Sequence, residues 1–578
     1  MVANFAYTKA QIAQVIEYKL LFPEEKSYPT IVSLLESIPR KKLINLSLLL
    51  INKYANSGFE AIDTFFTIPQ SIHVKKDFKN RFSRVAKDGF NYIFCTDQTS
   101  IELLRYAFSV EHKPDNLGIS EYESNIFKAI LLINEKLHVF PNIEEEEDKS
   151  LRISKMLIVN SFSQKGINDS DYNQVFREAF TKSIDFIEFV KSNDYFKAIY
   201  LRFLKRHGIA DYKSAIKTIL GVYSLLLKDR VGVEQRAGIF IYDPVKDKDK
   251  LLSKSFLEKS SINWTAVIPL NCNHDYKVFR DKPLIKQEEN CYAIFNLTFF
   301  IEKLFNSLYF DFQQIAKQEF GYKNFENEYK EGFLEKVLLV NYLEKINIRN
   351  KYFALSSKQM KDICDDVGEP DYYLRSKMGA AILIEHKDIK INAEIKQSRN
   401  LDLIISEYKN KLLRKSFSNG KLIENPKPIG IGQLIQLIKK IRNGIFNWDK
   451  QIEKDAIIYP VLVLTDSNFI PDGLSHLMNS WFLEELVKVD IKSSNVKPLI
   501  VMTTTTFLLY QEEFKLNGME YYFEKYYESI KIAEISQSGN PYLDIANMNI
   551  PFFEYMLNVF RSDFHKTFEE YRLKLFPS

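Results

Sequence analysis

The chain has 578 residues, too many for one ordinary core, and 46% are hydrophobic, with 45 Phe and 32 Tyr, which excludes a disordered or low-complexity protein. A formal net charge of only +4 excludes a uniformly basic nucleic-acid binder, so any basic surface must be local. No apolar run reaches the ~20 residues of a membrane-spanning helix. The four cysteines, Cys95, Cys272, Cys291 and Cys364, form no CxxC pair and no zinc-like spacing.

The first residues lack the charged start, long apolar run and cleavage site of a secretory signal. With thiols expected to be reduced, the location expected is the cytoplasm, with no membrane contact. Residues 1–150 are expected to be α-rich, because apolar side chains recur at helical spacing, as in Ile12, Val15, Ile16 and Leu20. The acidic run 144–148 reads as a solvated linker. Residues 151–315 are expected to be mainly α with a few strands: helical blocks at 163–190 and 195–227, a strand at 238–243, a lysine-rich surface excursion at 246–259, and a long helix over 292–315.

After Gly321 helices and strands alternate. The segment 326–346 is amphipathic, with Phe333, Leu334, Val337, Leu338 and Tyr342 on one side. Strands are expected at 371–375, 380–391, 456–465 and 498–503, and helices at 401–415 and 432–441, giving a mixed α/β sheet covered on both faces. The tail, 521–578, is expected to be a helical extension. No internal repeat is visible.

Residues 368–388 carry the chemistry. Two strand-like runs flank Lys377, Met378 and Gly379, which read as a three-residue hairpin loop with Gly379 left-handed. Ser376 then faces Ala380, and counting outward places Asp371 opposite Glu385. Facing side chains have Cβ atoms roughly 4.5–5.5 Å apart, so both carboxylates are placed to bind one cation. Strand alternation sets Lys387 on the same face as Glu385, and Ile384 and His386 on the other. Hard carboxylate oxygens suit Mg²⁺ or Mn²⁺, which acidifies water and polarises phosphate. The lysine would position or deprotonate that water, or stabilise the developing charge.

These residues resemble the PD-(D/E)xK nuclease superfamily. Pro370-Asp371 is similar to its PD element and Glu385-His386-Lys387 to its ExK, with 13 residues between Asp371 and Glu385. The resemblance spans about 200 residues, from Gly321 to roughly Glu520. It implies an α/β restriction-endonuclease-like core, a mixed sheet flanked by helices, over 316–520, behind a large mainly α N-terminal region. It also implies Mg²⁺ or Mn²⁺ held by Asp371 and Glu385, catalysis by Asp371, Glu385 and Lys387, and nucleic acid, with DNA preferred, as substrate. A glutamate of the preceding helix often joins the metal; Glu331 is the first choice, ahead of Glu335 and Glu328. Gln433 or Gln436 would supply an auxiliary polar group.

A second ExK, Glu394-Ile395-Lys396, ranks lower because it cannot face Asp371 in the simple register. Arg414, Lys415, Lys439, Lys440 and Arg442, with Lys421 and Lys427 nearby, are the expected phosphate contacts. The histidines form no HxH or HxxxH pattern, and P-loop, dinucleotide-fold and GxSxG signatures are missing. The expected activity is metal-dependent phosphodiester hydrolysis, in bacterial restriction or anti-phage defence by family analogy, with a homodimer or a defence-system protein as partner. The alternatives are a repair or recombination nuclease, and a non-catalytic nucleic-acid-binding or scaffold subunit.

Overall fold

The computed structural model describes the chain except for residues 1–12, 52–56, 59–61, 63–68, 87–90, 114–117, 139–147, 168–171, 229–237, 243–253, 365, 367, 419–420, 492, 536–540, 561, 563 and 576–578. Nearly all of the acidic run 144–148, and the excursion 246–259 up to residue 253, lie outside the described residues. The chain is a mixed α/β protein in which helices dominate.

The front of the chain is not purely helical. Strands β1 (Ala13–Val15), β2 (Ser57–Gly58) and β3 (Asn91–Cys95) form a small sheet in the order β1-β3-β2, packed against helices such as Asp97–Ser109 and Ile119–Leu137. A second sheet joins β4 (Gly238–Ile241), β5 (Ser261–Asn263), β6 (Leu284–Glu288) and β7 (Cys291–Ile294) in the order β4-β7-β6-β5. The strand read at 238–243 is thus present. The long helix expected over 292–315 is not: Tyr292 to Ile294 belong to β7, and two separate helices follow, Leu297–Glu302 and Asn306–Ile315. Asn296 begins the first, its side chain accepting a hydrogen bond from the Phe299 N–H. Apolar periodicity alone does not separate a short buried strand from a helix.

The central sheet has five strands: β8 (Tyr352–Ser356), β9 (Tyr372–Ser376), β10 (Ala381–Lys387), β13 (Ile458–Leu464) and β14 (Ile500–Thr503). Their order is β14-β13-β10-β9-β8; β8, β9 and β10 pair antiparallel, whereas β10, β13 and β14 run parallel. All seven residues of β13 are buried, as a parallel strand covered on both faces requires. On one face, Ile382, Ile384, Val461 and Val463 join a core that extends from Phe176 to Tyr571. On the other, Ala381, Leu383, Leu462 and Leu464 pack with the helices Leu401–Leu412, Ile431–Asn443 and Leu474–Lys488. Residues of the 521–578 tail, including Phe523, Tyr555 and Tyr571, sit in the same core as the sheet.

Two elements differ from the sequence reading. Strand β8 occupies an edge and is not among the strands expected. A hairpin of β11 (Arg414–Ser418) and β12 (Lys421–Pro428) replaces the end of the helix expected over 401–415, which stops at Leu412. Among the described residues, no helix is long and apolar enough to cross a membrane.

Candidate active site

The β9–β10 hairpin is built around Lys377, Met378 and Gly379. Gly379 has φ +83°, in the left-handed region that an L side chain rarely adopts. Its N–H donates to the Ser376 carbonyl (3.0 Å), and the Ser376 N–H donates to the Ala380 carbonyl (2.8 Å). The ladder runs from Arg375↔Ala381 to Tyr372↔Ile384. One further step brings Asp371 opposite Glu385, and there the Asp371 side chain takes over from the main chain: its Oδ2 accepts the His386 N–H at 2.7 Å. The Ser357 N–H holds the Asp371 carbonyl at 3.1 Å.

Glu385 is completely buried. Its Oε2 accepts a hydrogen bond from Lys387 Nζ at 2.9 Å, while the same ammonium lies 3.5 Å from Asp371 Oδ2. Glu385 Oε1 is buried with no hydrogen-bond partner among the described residues. A buried orphan acceptor is costly. Burial, with Asp371 acting in the same direction, pushes the Glu385 carboxyl up to about 8 despite the opposing pull of Lys387. Burial works against the Lys387 charge, but Glu385 and then Asp371 outweigh it and raise its pKa above the ordinary lysine value. His386 points to the other face, where its Nε2 lies 3.1 Å from Thr465 Oγ1 and burial lowers its pKa to about 4.

The preceding helix is the π-helical Glu328–Val340. Its Glu331 and Glu335 side chains both reach solvent, but Glu335 lies in the field of this site: partial desolvation, then Asp371, raise its carboxyl to about 7, with Lys387 opposing. Glu331, the first choice on sequence, acts on the site through its field on Glu335 along the same helix. Glu328 instead accepts a hydrogen bond from Asn193 Nδ2. The helical winding departs from 3.6 residues per turn, so the periodicity that favours Glu331 does not transfer to this helix. Among the described residues, no group of three or more His, Cys, Asp or Glu side chains stands arranged to hold a metal ion.

The other sequence-predicted residues have mixed fates. Gln433 caps its own helix, its Oε1 accepting the Gly430 N–H at 2.9 Å, and Gln436 is exposed. Arg442 donates to the carbonyls of Lys454, Ala456 and Asn495, a structural role. Lys440 pairs with Asp366 at 3.2 Å and lies over the Trp448 ring. Arg414 and Lys415 are on β11 rather than a helix; Arg414 pairs with Glu485, and Lys415 is exposed, as is Lys439. The rival pair separates: Glu394 is exposed on the short helix Ala393–Ser398, whereas Lys396 is buried and bonded to Asp275 at 3.0 Å.

A cavity of about 530 Å³ lies at the carboxyl ends of β10, β13 and β14, among Asp388, Lys390, Thr465, Asp466 and Thr503. Asp371, Glu385 and Lys387 do not line it. Its lysines are engaged already: Lys182 with Glu178 (2.7 Å), Lys165 with Asp472 (3.1 Å), and Lys390 over the Tyr309 ring at 3.4 Å. Buried carboxylate oxygens without a hydrogen-bond partner among the described residues occur both in the hairpin cluster, at Glu385 Oε1, and in the cavity lining, at Asp388 Oδ2. No protein-family model, curated protein or solved structure matches this chain.

Proposed function

We propose that the chain is a divalent-metal-dependent nuclease, with a restriction-endonuclease-like core over 316–520, that hydrolyses phosphodiester bonds in DNA. One observation carries the reading: two facing carboxylates, one fully buried with an orphan oxygen, share a single lysine at the end of a central strand. An antiparallel hairpin, an intervening helix and a parallel strand on the far side of β10 are consistent with it.

Asp371 and Glu385 would hold Mg²⁺ or Mn²⁺, with Glu335 as the nearest further carboxyl on the preceding helix. The donor set fits a hard cation: carboxylate oxygens, one of them without a hydrogen-bond donor among the described residues. When bound, such a cation acidifies water and polarises a phosphoryl oxygen. Lys387, whose pKa is raised, keeps its proton and serves as a donor to a phosphate oxygen rather than as a base. Asp371 positions the hairpin edge through the His386 N–H as well as contributing charge.

The test incubates the full chain with labelled duplex DNA, single-stranded DNA and RNA in Mg²⁺ or Mn²⁺. Cleavage is expected, and Asp371→Ala and Lys387→Ala are expected to abolish it while circular dichroism remains native. Absence of cleavage by the wild-type chain with either metal, or full activity in both variants, overturns the reading in favour of a non-catalytic binding or scaffold subunit. Defence against phage is the biological setting this chemistry would serve, with a homodimer or a defence-system protein as partner.

A further inference from the structure

We infer that the β11–β12 hairpin is a duplex-DNA-engaging ribbon: its lysine pair grips the sugar-phosphate backbone and its apolar pair packs into a groove. The choice of ligand rests on the nuclease reading; the element itself is defined by its own register and charge.

Lys415 and Lys427 are direct cross-strand partners. Like charges placed opposite each other destabilise a β-ladder. Both are exposed, and neither has an ion-pair partner among the described residues. A polyanion relieves this arrangement, since each phosphate neutralised by a lysine also releases counterions. Phe417 and Leu422 form the next pair along the ribbon, 43% and 72% exposed. Lys415 and Phe417 flank a register shift on β11, so the two pairs follow one another along the ribbon across an irregular step. The ribbon thus exposes two cations and, in the neighbouring pair, two large apolar side chains, the combination used by proteins that contact phosphates and press apolar groups against base steps. Glu424, the lone acid of residues 414–428, falls in the irregular stretch between the two pairs.

The ribbon is held at its base. Asn410 Oδ1 accepts the N–H groups of both Ser416 and Phe417, at 2.9 and 2.8 Å, and Arg414 is tied to Glu485. The base also sits level with the candidate site. Gly430 follows β12 by two residues and packs so closely that an added Cβ would lie 3.3 Å from Leu462 Cδ1. Leu462 is the register partner of Glu385.

The experiment measures fluorescence anisotropy of a labelled DNA duplex with the full chain in EDTA, across a salt series, so that binding is read without catalysis. Lys415→Glu with Lys427→Glu is expected to weaken binding roughly tenfold or more, and to lower the slope of log K against log salt by about two, one for each lysine that no longer meets a phosphate. Phe417→Ser with Leu422→Ser is expected to weaken binding about tenfold with the slope unchanged, as removal of apolar burial does. Thermal melts of both variants should match the wild type, since the four side chains are exposed. If wild-type chain does not bind duplex DNA at low salt, or both variants bind as it does, the inference fails. It also fails if an RNA duplex alone is bound, or if the variants alter only the sedimentation of the chain, which marks a self-association surface. Intact binding that depends on the hairpin, with no cleavage in Mg²⁺, overturns the nuclease reading and leaves the hairpin assignment standing.

Discussion

Glu385 and Lys387, two residues apart on one strand, project to the same face of the sheet and are joined there by an ion pair of 2.9 Å, with the carboxylate wholly buried. The pairing is incomplete, because Glu385 Oε1 has no partner among the described residues and Asp371 stands opposite. Burial and the facing Asp371 thus set a preference for the protonated carboxyl, against which the Lys387 ion pair pulls.

That preference has a pH signature in the metal-free protein. The Glu385 carboxyl titrates near 4.5 when unfolded and is raised to about 8 when folded. Between these values the native state holds the extra proton, so this group's contribution to stability falls as pH rises through about 8. Glu385→Gln, a neutral isostere, should therefore be more stable than the wild type at about pH 9, by roughly 1 kcal/mol or more, and the gain should vanish toward pH 5. Thermal melts in EDTA across this range check the sign; a gain that grows as pH falls contradicts it.

Lys387 neutralises the pair that would hold a cation. Lys387→Met should bind Mg²⁺ more tightly than the wild type, about tenfold at pH 9, while losing cleavage. Isothermal titration alongside a nuclease assay separates the two effects. Weaker Mg²⁺ binding in the variant would mean that the lysine organises the carboxylates rather than competing with the metal.

Glu335 and Glu331 make a paired comparison on one helix. Glu335 is raised to about 7 through partial desolvation and Asp371. Glu335→Gln should lower kcat by roughly 10–100-fold, the range seen when a group supporting a metal site is neutralised. Glu331→Gln, at a solvent-exposed position whose charge acts on the site through Glu335, should stay within a factor of about two. Steady-state kinetics of both variants decides between them, and the reverse ranking would restore Glu331.

Gly379 bears on stability more than on chemistry. Nothing lies within 4 Å of a Cβ added there, so Gly379→Ala meets only the left-handed backbone penalty at φ +83°. A loss of about 1–2 kcal/mol is expected in urea unfolding. A loss well above that would show that the loop cannot hold the register without glycine.

The sequence by itself determined the hairpin, its loop and its register, because these follow from strand alternation and one glycine within a short stretch of chain. It also determined the buried strands at β13 and β14, whose apolar runs are continuous. Edge strand β8 alternates poorly, with a burial pattern that mixes exposed and buried positions, and β11–β12 is exposed and basic; neither carries a clear period. Only the tertiary structure decided which charges meet. Lys396 is bound by Asp275 from the front half of the chain, and Arg442 by carbonyls from loops that follow it. Those contacts depend on how distant segments pack, which no local spacing encodes. The same holds at the candidate site: Asp371, Glu385 and Lys387 were local enough to read, while the raised carboxyl of Glu335 comes from desolvation and the Asp371 charge, and the raised pKa of Lys387 from Glu385 and Asp371, which outweigh burial.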